Sequence, residues 1–345
     1  MPTITFDLPD DLAAQAEAAI QSGAYPCMSA LITAAIHSWQ QSARESLRAD
    51  IAIAEADLAA LTSPACTHDN CPAWEAIGWP AHALAAGTCP ITTPIGLIDT
   101  GINPDHDIIA SAGLQVIDRP GTPEPSGAVH GTAIASLLIG APQSRVPGLL
   151  PQAQVQAVDV FSRASGDERA DVASLVEGLD ILATRQVRLY NMSLSGPPNS
   201  VLSRMIDRMT DPAGLDAVVV SAAGNGGPTA PPAWPAAHPR VVAVTAVDAR
   251  GRVYRQAQRG AHLALAAPGV NLLAATSVQG ARGKSGTSFA VPFVTAVAAV
   301  LMSQPVAQTG AQVRATLAAT ARDLGTAGRD PIFGYGLVSA AAICP

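Results

Sequence analysis

The chain has 345 residues, of which 48% are hydrophobic and only 14% charged. That is enough for one large, well-filled domain with a small extra module, and it excludes a disordered chain. The net charge of −7 makes a nucleic-acid backbone a poor partner for the whole molecule, and no stretch of ~18 apolar residues appears, so a membrane span is not expected.

Residues 3–8, TITFDL, alternate polar and apolar side chains as a half-buried strand does. Pro9 and Asp10 then open a helix over residues 11–21, which Gly23 ends. Ser29 caps a second helix with Leu31, Ile32, Ala35, Ile36 and Trp39 on one face. Residues 43–61 read as a solvated connecting helix, so residues 1–63 are expected to hold a strand–helix–helix module followed by that helix. Residues 64–90, rich in Cys, Pro, Trp and Gly, read as a linker or wrap-around segment. From 91 to 345 short apolar runs alternate with helical patterns: PIGLIDT (94–100), AQVQAVDVF (153–161), VRLYNMSL (187–194), AVVVSAAG (217–224) and VVAVTAV (241–247). Nearly continuous apolar strands separated by helices predict an α/β fold, a doubly wound and mainly parallel sheet with helices on both faces. Such sheets place their sites at the carboxyl ends of the strands.

The five cysteines are Cys27, Cys66, Cys71, Cys89 and Cys344. An odd number, behind an N-terminus without a basic start and apolar run, predicts reduced thiols and a cytoplasmic protein. Cys66, His68, Cys71 and Cys89 carry zinc-ligating atoms, but their spacing is not a standard one. Free thiols, or a disulfide in an exported protein, are the competing readings, and no metal is assigned.

Three short segments carry the chemistry of an activated serine, which needs a base beside it and an acid to orient that base. Asp99 ends the apolar strand in GLIDTG, where a buried carboxylate requires a partner. His130 opens HGTAIASLLIG, a turn leading into an apolar helix. Ser288, in SGTSFAVPFVTAVAAVL, follows Gly286 near the start of a long apolar helix, whose N-terminus favours developing negative charge.

These residues resemble the subtilisin-like serine peptidases over about residues 73–343. Asp99-Thr100-Gly101, His130-Gly131-Thr132 and Gly286-Thr287-Ser288-Phe289-Ala290-Val291-Pro292 resemble the three family motifs, in the family's order. The resemblance implies a protein or peptide substrate, no cofactor, and Asp99, His130 and Ser288 as the triad. It implies Asn225, in the glycine-rich turn SAAGNGG, as the oxyanion donor alongside the Ser288 N–H. It further implies a pocket edged by Ser193, Leu194, Ser195 and Gly196 and faced by Ala222, Ala223 and Gly224, with residues around Phe161–Gly166 accepting the upstream part of an extended peptide. Ser195 stands where the family commonly has glycine, so apolar residues of modest size are expected before the cleaved bond. The Trp234–Pro235 bond resembles a cis turn of the family. Phe289 replaces an oxidation-prone methionine beside the serine. Asp107 matches a calcium-binding aspartate of the family, but GAPQSRVPG (140–148) lacks the acid and asparagine of the accompanying loop.

The strand–helix–helix segment resembles ribbon-helix-helix modules such as those of ParD-like antitoxins, which pair strands between two chains. The outer face of its strand would carry Thr3, Thr5 and Asp7, and acids outnumber bases within residues 1–45, so DNA binding is not expected. Self-association through residues 1–45 is the expectation, with an inhibitory prodomain or a plain helical extension as alternatives. For the whole chain, a regulatory binding protein that retains a protease fold is the alternative to a peptidase.

Overall fold

The structure is a computed structural model and describes residues 71–109, 113–119, 126–164, 167–306, 308–341 and 343–344. The strand–helix–helix reading of residues 1–63 lies outside the described residues, as do Cys66 and His68.

Residues 71–90 form two short helices, α1 (Pro72–Ile77) and α2 (Ala81–Ala85). Gly78, at φ +68°, closes α1 in the left-handed conformation. Trp74, Ile77 and Trp79 are buried in the main core. The Ala340 N–H donates to the Ile77 carbonyl at 2.7 Å, and Cys89 is disulfide-bonded to Cys344, with Cα atoms 5.7 Å apart. Cys71 is disulfide-bonded as well. The expectation of reduced thiols therefore fails at these three cysteines. Folding brings the start of this unit against the end of the chain, a proximity hidden by a separation of 255 residues. Disulfide bonding removes Cys71 and Cys89 as thiolates for zinc.

Seven strands form a parallel sheet in the order β2 (Leu114–Ile117), β3 (Val155–Asp159), β1 (Ile95–Asp99), β6 (Leu189–Met192), β7 (Val218–Ala222), β8 (Val241–Val247) and β9 (Leu265–Pro268). Two hairpins stand apart, β4 (Ser162–Ala164) with β5 (Asp167–Arg169), and β10 (Leu272–Ala275) with β11 (Ala281–Lys284). Every residue of β1, β6, β7 and β8 is buried, as central strands covered on both faces must be.

Alternation along β1 divides its side chains between two cores. Ile95 and Leu97 join the core formed with α3 (Val129–Ile139), α6 (Thr287–Met302) and α7 (Gly310–Thr320). Ile98 joins the core formed with α4 (Val172–Thr184) and α5 (Ser200–Met209). α6 is apolar all round and almost fully buried, as a central helix is. The more exposed helices have side-chain N-caps: Asp171 for α4, Asn199 for α5, and Thr309 with Gln312 as a capping box for α7. Among the described residues no helix is long and apolar enough to cross a membrane.

Candidate active site

Three chain segments converge where β1 ends and where α3 and α6 begin. Asp99 is the last residue of β1 and only 1% exposed. Its Oδ1 accepts from the Thr100 N–H and pairs with His130 Nδ1, each at 2.7 Å. This buried carboxylate thereby fixes the ring's orientation, with Nδ1 as the donor toward it. Burial pushes the His130 imidazole down, but the Asp99 charge and hydrogen bond outweigh it, so its pKa stands above the ordinary 6.5. Lys284 adds a smaller downward push and Glu168 an upward one. A third of the His130 side chain remains exposed.

The turn that presents His130 is clasped by hydroxyls. The Gly131 N–H donates to Thr100 Oγ1 at 2.8 Å and the Asn103 N–H to Thr132 Oγ1 at 2.9 Å, while Thr132 Oγ1 donates to the Ala128 carbonyl at 2.5 Å. Gly131 lies so close to the loop after Asp99 that an added Cβ would fall 2.3 Å from the Thr100 carbonyl oxygen. Glycine is thus what lets the histidine and aspartate segments meet.

Ser288 is the second residue of α6, after Gly286 at φ 156°, ψ 159°, a conformation essentially reserved for glycine. Its hydroxyl makes no hydrogen bond to His130; such contacts are commonly long before substrate binds and tighten in the complex. The neighbouring Phe289 ring is buried, with its centroid 5.6 Å from that of His130. Pro292 has no N–H to offer the Ser288 carbonyl four residues back. Ser193 Oγ donates to that carbonyl instead, at 2.8 Å. Behind Ser193, Asn191 Nδ2 donates to its Oγ at 2.9 Å and Thr295 Oγ1 donates to Asn191 Oδ1 at 3.1 Å. A polar relay thus runs from the middle of α6 through β6 to the backbone of Ser288.

Asn225 turns its Oδ1 inward, accepting from the Thr287 N–H at 3.0 Å and the Thr287 hydroxyl at 3.1 Å. That leaves Nδ2 to donate outward. Among the described residues, neither Nδ2 nor the Ser288 N–H has an acceptor, and the latter is one of the orphan donors of a helix N-terminus. Two preorganised donors of this kind suit a developing oxyanion.

Ser193, Leu194, Ser195 and Gly196 follow β6; Ala222 ends β7, its neighbour in the sheet, and Ala223 and Gly224 follow it. Ser195 and Gly196 are exposed, whereas Ala222 and Ala223 are buried. Gly196 exchanges backbone hydrogen bonds with Trp234 at 2.8 and 2.9 Å, and the Trp234–Pro235 bond is cis, as the resemblance implies. Gly224 sits at φ +104°, and an added Cβ would fall 1.6 Å from Gln258 Oε1. Gln258 is buried behind this wall and is held by the Gly224 and Pro231 carbonyls. Sequence reasoning missed Gln258, Thr287 and the Asn191–Thr295 pair. A single polar residue inside each of the apolar runs of β6 and α6 was the signal for that pair.

A model of the subtilase family (peptidase S8) matches residues 92–336. The minor extracellular protease Epr of Bacillus subtilis (strain 168) is 31% identical over 259 residues, 74% of this chain but only 39% of that protein. Subtilisin BL of Lederbergia lenta is 31% identical over 251 residues, 72% of this chain and 89% of that protein. Among solved structures, the patellamide maturation protease PatA aligns with a TM-score of 0.63 at 26% identity, over 73% of this chain and 95% of that one. The prenylagaramide maturation protease PagA aligns with a TM-score of 0.66 at 24% identity, over 76% and 98%.

Proposed function

This chain belongs to the subtilase family, and from that premise we propose that it is a serine endopeptidase working through an acyl-enzyme. The carrying observation is the Asp99–His130 pair at 2.7 Å, set beside a helix N-terminus that presents Ser288. His130 takes the Ser288 proton as the hydroxyl attacks the scissile carbonyl, then delivers it to the leaving amine. Asp99 holds the imidazole and stabilises its protonated form. The Ser288 N–H and Asn225 Nδ2 receive the oxyanion. A water deprotonated by His130 then releases the acyl group from Ser288, and no cofactor enters any step.

An extended peptide lies along Ser193–Gly196 on this reading, with Ala222–Gly224 facing it. Apolar residues of modest size are favoured before the cleaved bond, because Ser195 adds a hydroxymethyl group at the rim. Hydrolysis of a peptide library by the purified chain tests both statements. Cleavage after small apolar residues, lost in Ser288→Ala, supports the reading; a preference for Lys or Arg refutes the pocket assignment.

A dedicated processing role, on one cognate polypeptide or on this chain itself, is the finer proposal. Likeness to the patellamide maturation protease PatA supports it. The Cys89–Cys344 disulfide favours an oxidising compartment over the cytoplasm expected from sequence. Residues 1–45 are proposed to mediate self-association; light scattering of the intact chain at the monomer mass would refute this.

A further inference from the structure

We infer that the chain carries a second binding site, remote from Ser288, that takes a small phosphorylated molecule with an apolar or planar body. A cavity of about 600 Å³ opens where β8 and β9 begin, at the opposite ends of the strands from the candidate active site. Its volume falls in the ~300–1,000 Å³ range of small-molecule sites. Four of its lining side chains are basic or imidazole groups: His238, His262, Arg314 and Arg329. Among the described residues no Asp or Glu lines it, although acids outnumber Lys and Arg by 27 to 20 in the chain. A cavity lined by chance would have drawn acids at least as often as bases.

Two of these groups lack partners. Arg314 Nη1 and His262 Nε2 are buried and make no hydrogen bond. Buried polar atoms are rarely left so, and both belong to residues that line this cavity. Burial outweighs the Asp216 charge and, with the Arg240 charge, holds Arg314 below the usual arginine range; burial and the Arg329 charge hold His262 below the usual histidine range. Asp216 is the acid near Arg314; its Oδ2 accepts from Arg188 Nη2 at 3.0 Å and the Gly310 N–H at 2.9 Å, while its buried Oδ1 makes no hydrogen bond to Arg314 or any other group among the described residues. His238 is buried and faces Asp207 through Nε2 at 3.5 Å, so it is not one of the unpartnered groups.

Arg329 is pinned by donating from Nη2 to the Ala261 and Leu263 carbonyls at 2.8 and 3.0 Å. Its guanidinium carbon lies 5.0 Å from the centre of the Tyr335 ring. An oxyanion between Arg314 and His262 would satisfy both orphaned nitrogens, and phosphate suits the guanidinium fork. Leu265 and Leu317, with Tyr335, then offer an apolar and aromatic wall larger than a bare phosphate fills.

Titration calorimetry of the full chain with phenyl phosphate, inorganic phosphate and phenol tests this. Phenyl phosphate is expected to bind once per chain, inorganic phosphate more weakly, and phenol not at all. Arg314→Met and His262→Leu should each weaken phenyl phosphate at least ~10-fold, with Arg314→Lys falling between. Circular dichroism verifies that each variant is folded; if Arg314→Met does not fold, Arg314→Lys and His262→Leu decide. Absence of saturable binding by the wild type up to ~10 mM would overturn the site. Undiminished binding by folded variants, or phenol binding as well as phenyl phosphate, would overturn it too. Equal affinity for phenyl and inorganic phosphate would refute the apolar body.

Discussion

His130 is held by one carboxylate oxygen and clasped from behind by Thr100 and Thr132. Its pKa stands above 6.5 because the Asp99 charge and hydrogen bond outweigh burial. On the proposed mechanism, only the neutral ring can take a proton from Ser288. The acid limb of kcat/KM against pH should therefore have its midpoint above ~6.5, with activity rising as pH rises through it. The linkage to folding has the opposite sense. Pairing with Asp99 favours the protonated form, so the stability it contributes is fully present below ~6.5 and is lost as pH rises through the raised folded-state value. For Asn225→Ala, steady-state kinetics should show kcat reduced roughly 10²–10³-fold, the size known for the oxyanion asparagine of this family, with the fold intact. A Gly131→Ala chain should accumulate poorly and unfold early in a thermal melt, because its Cβ would meet the Thr100 carbonyl.

At the scale of elements, the site depends on how α6 and the two hairpins are held. Pro292 leaves the Ser288 carbonyl without its helical donor, and Ser193 from the pocket edge supplies one. Ser193→Ala orphans that carbonyl and Asn191 Nδ2 together. Chemical denaturation should show a loss of about 1–3 kcal/mol, with KM raised as the proposed pocket edge loosens from Ser288. The hairpins bring opposite charges to bear on His130, Glu168 from β5 and Lys284 from β11. Glu168→Gln should move the acid limb to lower pH and Lys284→Gln to higher pH; identical profiles for both would contradict the placement of these hairpins. Five strands were legible as apolar runs because β1, β3, β6, β7 and β8 lie inside the sheet. β2 and β9 were not. Both are edge strands of four residues; β2 exposes its middle and β9 reads Leu-Ala-Ala-Pro, without a β-branched residue.

Over the whole molecule, the order of the strands carries Asp99, Asn225 and the pocket residues to one end of the sheet, while the cavity lined by Arg314 and His262 opens at the other. The triad candidates were legible because each sits in a short motif whose neighbours serve the same turn. Gln258 and the Cys89–Cys344 pair were not, since only tertiary folding brings them to their partners. That disulfide ties the start of the described unit to the end of the chain. Replacing Cys89 and Cys344 together by Ser should lower stability by about 2–4 kcal/mol, read as a shift of the denaturation midpoint, while the Asp99–His130 geometry persists. The central claim is that Ser288 is a nucleophile activated by His130 and Asp99, and intact-mass spectrometry after incubation with a fluorophosphonate tests it most directly. The wild type is predicted to gain one adduct, mapped to Ser288, with His130→Ala slowed by at least ~10³-fold and Ser288→Ala unmodified. An unmodified wild type, or an adduct that persists in Ser288→Ala, would contradict it.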